Sequence, residues 1–176
     1  MRAFIFLVLA VCATDAVACY TPPAEQQVSP GELVARTKNI VLAEVTKAEL
    51  IHRGEVLYTF RRVRALAGHA ENSFVLAGHA AIWEGDNKTF NHHADPAFWE
   101  GQGRTPVETD CKIYPSFAVG GTYLLFLDEP RHAMSFELII RTGGDKETQD
   151  KWLQYVENYL KNPVGPNKPV ERTRGR

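Results

Sequence analysis

Apolar and polar positions follow two different periods along the chain. From residue 40 to residue 144 the apolar residues alternate or run in short β-branched and aromatic blocks. After Gly143-Gly144 they recur every three or four residues. The first pattern predicts strands at "IVLAEVTKAEL" (40–50), "VLYTFRRVRAL" (56–66), "SFVLAGH" (73–79), "GGTYLLFLDEP" (120–130) and "SFELIIRTGG" (135–144). His52 to Glu55 form a hairpin-like break between the first two. In the second, Val56, Tyr58 and Phe60 alternate but Val63 falls out of step, which predicts a bulge near Arg61-Arg62. The second pattern predicts a helix over 145–161. Its packed face is Trp152, Val156 and Leu160, and Asp145, Glu147 and Asp150 sit near its start, where the helix dipole favours acids. "SPGELVART" (29–37) predicts a short earlier helix, with Ser29 and Glu32 as a capping box and Pro30 in the first turn. Five strands, an early bend and flanking helices suit a mainly β fold, a five-stranded Greek-key OB-like barrel with a C-terminal amphipathic helix.

The ends and the middle depart from these periods. Arg2 precedes a nearly unbroken apolar run from Ala3 to Ala13, and Ala16-Val17-Ala18 fits the small-x-small cleavage rule, so residues 1–18 read as a signal peptide. The run is shorter than the about 20 residues a membrane helix needs, so no integral membrane segment is expected. The expected location is secreted or periplasmic, with one domain over 19–161. Residues 162–176 read as a disordered basic tail. The net charge is −1, which gives no reason to expect a nucleic-acid partner. One long irregular segment, about 80–112, reads as an insertion.

Candidate chemistry sits at the cysteines and in that insertion. Cys12 leaves with the signal, and Cys19 and Cys111 remain. An even pair in an oxidising compartment reads most simply as one disulfide. It would close a loop of roughly 90 residues and stabilise the fold by about 4 kcal/mol in the chain-entropy model. Lipid attachment at Cys19 is the alternative, although "AVAC" has Ala16 where a lipid-attachment box usually has leucine. In the insertion, His92, His93 and Asp95, with His79 nearby, are candidate metal ligands by residue type. The plainer reading is that Phe90, Phe98 and Trp99 anchor the loop while the histidines face water. The same three aromatics are candidates for partner contact, because long loops often serve recognition. The sequence has no G-x-S-x-G, H-E-x-x-H or phosphate loop, so neither an enzyme nor a cofactor is expected.

The start "CYTPP", the strands "VLAEV" and "YTFRRVRALAG", and "C…FAVGGTYLLFL" together resemble the netrin-like module, whose best-known members are the tissue inhibitors of metalloproteinases. The likeness covers about Cys19 to Tyr159, with the long loop as an insertion. It implies an OB-type barrel, an exported protein of bacterial type and the pairing of Cys19 with Cys111. From the inhibitor branch it implies that the free amine and carbonyl of Cys19 chelate a protease's zinc while Tyr20 enters its specificity pocket. Thr21 stands where that branch has a second cysteine. The expected function is therefore an exported protein-binding module with a zinc metalloprotease as partner. The alternative is a metal-dependent hydrolase or metal-binding protein that uses the His-rich insertion.

Overall fold

The computed structural model describes residues 23–163 apart from 53, 81–89, 101–102, 104, 106–111 and 145–148. After a 3-10 turn at Ala24–Gln26 come α1 (Pro30–Arg36), β1 (Ile40–His52), β2 (Glu55–Ala67) and β3 (Ser73–His79). They are followed by α2 (Pro96–Glu100), β4 (Thr122–Phe126), β5 (Phe136–Ile140) and α3 (Lys151–Lys161). The five strands form one antiparallel sheet in the order β3-β2-β1-β4-β5.

Local chemistry explains the boundaries. Ser29 caps α1 by accepting the Glu32 N–H, with proline in the first turn. The β1–β2 hairpin turns between His52 and Glu55, with Gly54 at φ 91°, a conformation that costs glycine little. The expected irregularity in β2 lies at Val63. Leu42 pairs with Arg64 and Ala43 with Arg62, so Val63 has no partner and its side chain is exposed. β4 is shorter than 120–130. Gly120 and Gly121 form the turn that precedes it, and beyond Phe126 the chain leaves the ladder. There Asp128 accepts the backbone N–H groups of Lys38 and Asn39. Among the described residues the last helix starts at Lys151, because the Asp150 carboxylate accepts the N–H groups of both Trp152 and Leu153. Residues 145–148, with Asp145 and Glu147, lie outside the described residues. No described helix is long and apolar enough to cross a membrane.

Each face of the sheet has its own core. On one face Val41, Ala43, Val45, Val56, Tyr58, Phe60, Tyr123, Leu125, Phe136 and Leu138 pack together. Phe117 is at their centre, edge-on to Tyr58, Phe60 and Tyr123 at 4.9–5.0 Å between ring centroids. On the other face Ile40, Leu42, Leu124, Phe126 and Ile139 meet Leu33 and Val34 of α1 and Trp152, Leu153 and Val156 of α3. β4 is buried on both faces, which is why "TYLLF" is a continuous apolar run without alternation.

The sheet does not close into a barrel, which corrects the expected closed architecture. At the end of β3, the His79 N–H donates to the Pro115 carbonyl at 3.0 Å, and β5 is not hydrogen-bonded to β3. The approach is tight, since a Cβ on Gly78 would sit 2.0 Å from that carbonyl oxygen. The irregular chain that carries Ile113 and Phe117 into the core therefore lines the seam that a β3–β5 pair would otherwise seal.

Trp152 is fully buried, stacked on Phe126 and Tyr155 at 5.7 and 5.6 Å. Truncation leaves a cavity where α3 meets the sheet. Trp152→Ala should lower unfolding free energy by about 3–5 kcal/mol in denaturant titration. A variant as stable as wild type would show that α3 does not depend on this contact.

Candidate functional site

Two places gather polar side chains. The first is a sealed charge cluster beneath the insertion. The insertion turns sharply at Asn91–Ala94, where the Ala94 N–H bonds the Asn91 carbonyl. His92 and His93 adopt φ 53° and 55°, values uncommon outside glycine. This turn carries the His93 ring between two carboxylates that lie far away in sequence. Nδ1 is 2.6 Å from Asp150 Oδ2, and Nε2 is 3.0 Å from Glu137 Oε2. His93 and Asp150 are 0% exposed and Glu137 is 2% exposed. The His92 carbonyl accepts the Lys151 N–H at 3.0 Å, and the His93 carbonyl accepts the Trp99 indole N–H at 3.0 Å. The Phe98 ring lies 4.5 Å from the imidazole. One residue thus joins the insertion to β5 and to the N-terminus of α3.

Charge decides how this cluster behaves. Burial alone pushes the His93 imidazole down. The hydrogen bonds that the ring donates to the negatively charged Asp150 and Glu137 outweigh it, and the pKa is raised above 6.5. Both ring nitrogens are engaged, so neither has a lone pair for a metal, and solvent does not reach the cluster. Its chemistry is that of a charged tie between elements.

A second buried histidine has the opposite character. Burial, aided by the charge of Arg36, lowers the His132 pKa to about 4. The Met134 N–H donates to its Nδ1 at 3.0 Å, so the neutral ring carries its proton on Nε2.

The second gathering of polar groups is an open groove of about 570 Å³. His52 and Glu55 from the hairpin tip and Ala77 to His79 from the end of β3 form one wall. Glu129, Pro130 and Arg131, from the turn before β5, also line it, and Gln26, Lys112, Ile113 and Tyr114 complete the lining. It lies along the open seam. The strand register places His52 opposite Glu55 and Glu55 opposite His79, so the three form one cross-strand row. His79 rests 4.7 Å from the Tyr114 ring, and Arg131 Nε pairs with Glu129 Oε1 at 2.8 Å.

The candidates named from sequence separate in space. Cys19, Tyr20, Thr21 and Cys111 lie outside the described residues. His79 lines the groove. His92 is exposed, with its ring 4.6 Å from Phe90. Asp95 is exposed, and its carboxylate accepts the Ala97 N–H at the start of α2. His93 is buried, which corrects the reading of the insertion's histidines as water-facing. Among the described residues no three His, Cys, Asp or Glu side chains are grouped to hold a metal ion. Phe98 is buried in the helix-side core, half-buried Trp99 packs on Trp152 and Tyr155, and Phe90 lies under the Arg141 guanidinium at 4.8 Å. Glu137 was missed from sequence. Its only signal was a lone acid inside the apolar strand "FELII". No family model matches the chain, and no curated protein matches it either.

The two histidines give stability opposite slopes in pH. The contribution of His93 is complete below pH 6.5 and disappears as pH rises through its raised folded value. That of His132 is present above pH 6.5 and is lost as pH falls toward about 4. Unfolding free energy measured by urea titration across pH should therefore peak near pH 6.5, the ordinary value of both rings. Its alkaline limb should fall by up to about 1.4 kcal/mol per pH unit. His93→Gln should cost about 3–5 kcal/mol and flatten that limb. A variant that keeps the wild-type decline would place its origin elsewhere.

Proposed function

We propose that the chain is an exported binding module of netrin-like type that engages an exported or extracellular protein, a zinc metalloprotease, through its N-terminal strap. The observation that carries this reading is the composition of the groove. Gln26, just past the start of the described chain, and Lys112, next to Cys111, line the same depression. A Cys19–Cys111 disulfide would hold the strap Cys19-Tyr20-Thr21 beside that groove. A strap fixed in this way loses little entropy on binding. The neutral amine and carbonyl of Cys19 are suitable donors to zinc, and Tyr20 then projects into the partner's pocket. The strap and the groove would form one continuous face, with His52, His79 and Arg131 available to polar groups of the partner.

The strand order supports this reading. Strands β1, β2 and β3 form a meander and β4 returns beside β1, the order of a Greek key. We read the sheet as an open relative of the OB barrel, with β5 and α3 completing the unit. The signal-like first 18 residues, and the two cysteines that their removal would leave, support export. The binding face is assigned to the strap and groove because the rings of Phe98 and Trp99 pack inward.

Adding one alanine before Cys19 moves the amine by about 3.5 Å without touching the sheet. Inhibition of a susceptible zinc protease should vanish while the melting temperature stays as in wild type. Tyr20→Ala should weaken inhibition by a smaller factor. An extended form that inhibits as well as the natural one would show that the amine is not a zinc ligand.

A further inference from the structure

The second half of β1 has a partner on one side only. β4 pairs with β1 from Ile40 to Glu44, and the Gly120-Gly121 turn bonds Val45. From Thr46 to His52 every residue is exposed, and among the described residues no backbone bond reaches that edge from the β4 side. Leu50 is 71% exposed. A free strand edge of this length is a template for another strand.

The ladder fixes which groups that edge offers. The His79 N–H points out of the sheet to Pro115, so the even-numbered residues of β3 bond to β2, among them Leu76 to Tyr58 and Gly78 to Val56. Leu57 and Thr59 of β2 therefore turn toward β1, where their partners are Glu49 and Lys47. Ala48 lies between those two and directs its own N–H and carbonyl away from β2, to the open edge.

We propose that this edge joins a second copy of the chain, through antiparallel pairing of β1 with β1 about a two-fold axis at Ala48. Charge selects that register. Centred on Ala48, Lys47 of each copy lies opposite Glu49 of the other, twice by symmetry, at the close positions flanking the Ala48 pair. Centring on Lys47 would place two lysines face to face, and centring on Glu49 two glutamates. A register between residues would pair outward-facing backbone with inward-facing backbone. Within one chain Lys47 Nζ and Glu49 Oε1 already pair at 2.7 Å, but both side chains are more than half exposed, so exchanging partners costs little. Leu50 then lies beside Thr46 of the other copy, out of water. The pairs from Thr46 to Leu50 stop short of His52, which lines the groove.

The mature full-length protein should dimerise reversibly in sedimentation equilibrium. Lys47→Glu places glutamates opposite each other at both positions and should weaken the dimer by roughly tenfold or more. The double variant Lys47→Glu/Glu49→Lys restores complementary pairs and should recover the wild-type constant. Ala48→Pro removes an N–H that β2 does not use and should give a monomer, with circular dichroism confirming the fold. A wild type that is monomeric at its highest soluble concentration would overturn the proposal. So would a dimer that a folded Ala48→Pro variant leaves intact, or one that the double exchange does not restore.

Discussion

The charge on His93, held between Asp150 and Glu137, is the constraint on which the arrangement of the outer elements depends. An imidazolium out of contact with water is tolerable only with its carboxylates in place, and the carboxylates only with it. Removing His93 leaves two uncompensated buried carboxylates, and removing either carboxylate leaves a buried ring N–H without its acceptor. The three residues come from the insertion, from β5 and from the residue that caps α3. Asp150 uses one oxygen for His93 and the other for the first N–H groups of α3, so cluster and helix start are one structure. α3 in turn carries Trp152 onto Phe126, and α2 lays Phe98 and Trp99 on the same ring. The apolar contacts supply most of the driving force. The charged tie selects one position of the insertion among the many that an apolar surface alone would accept.

Elements dictated by neighbouring residues were legible in the sequence. The five strands, the Ser29 cap, the hairpin at His52–Glu55 and the amphipathic face of the last helix follow from period and local hydrogen bonding. The misfit of Val63 marked the bulge within a residue or two, because a broken alternation is itself a local signal. Closure was not legible. Whether β3 meets β5 depends on what else reaches that edge, and Pro115 reaches it from a stretch with no strong period of its own. The His93 cluster was hidden for the same reason. Its partners stand 57 and 44 residues away, and a histidine in a polar loop looks alike whether it faces water or an acid. Glu137 could have raised the question, since an acid in a strand buried on both sides requires a partner.

The fold separates its tasks by region. The helix-side core, with the insertion docked on it, carries rigidity. The open seam leaves a groove whose rim adjoins the start of the described chain, where the binding strap is proposed to act. The far half of β1 extends beyond both cores and offers its edge for pairing. The pairing centred on Ala48 uses Thr46 to Leu50, whereas His52 at the end of the same strand lines the groove.

The central claim is that His93 is charged inside the folded protein. Nitrogen-15 NMR of the histidine rings reads this directly, because a charged imidazole has both nitrogens protonated and similar shifts, whereas a neutral ring has one of each kind. At pH 6.5, where an ordinary imidazole is half neutral, the His93 ring should be predominantly charged, with both nitrogens protonated and coupled to slowly exchanging protons. His132 should show a single proton, on Nε2. A neutral His93 ring at that pH would contradict the account, since the cluster would then be a set of ordinary hydrogen bonds in place of a charged tie.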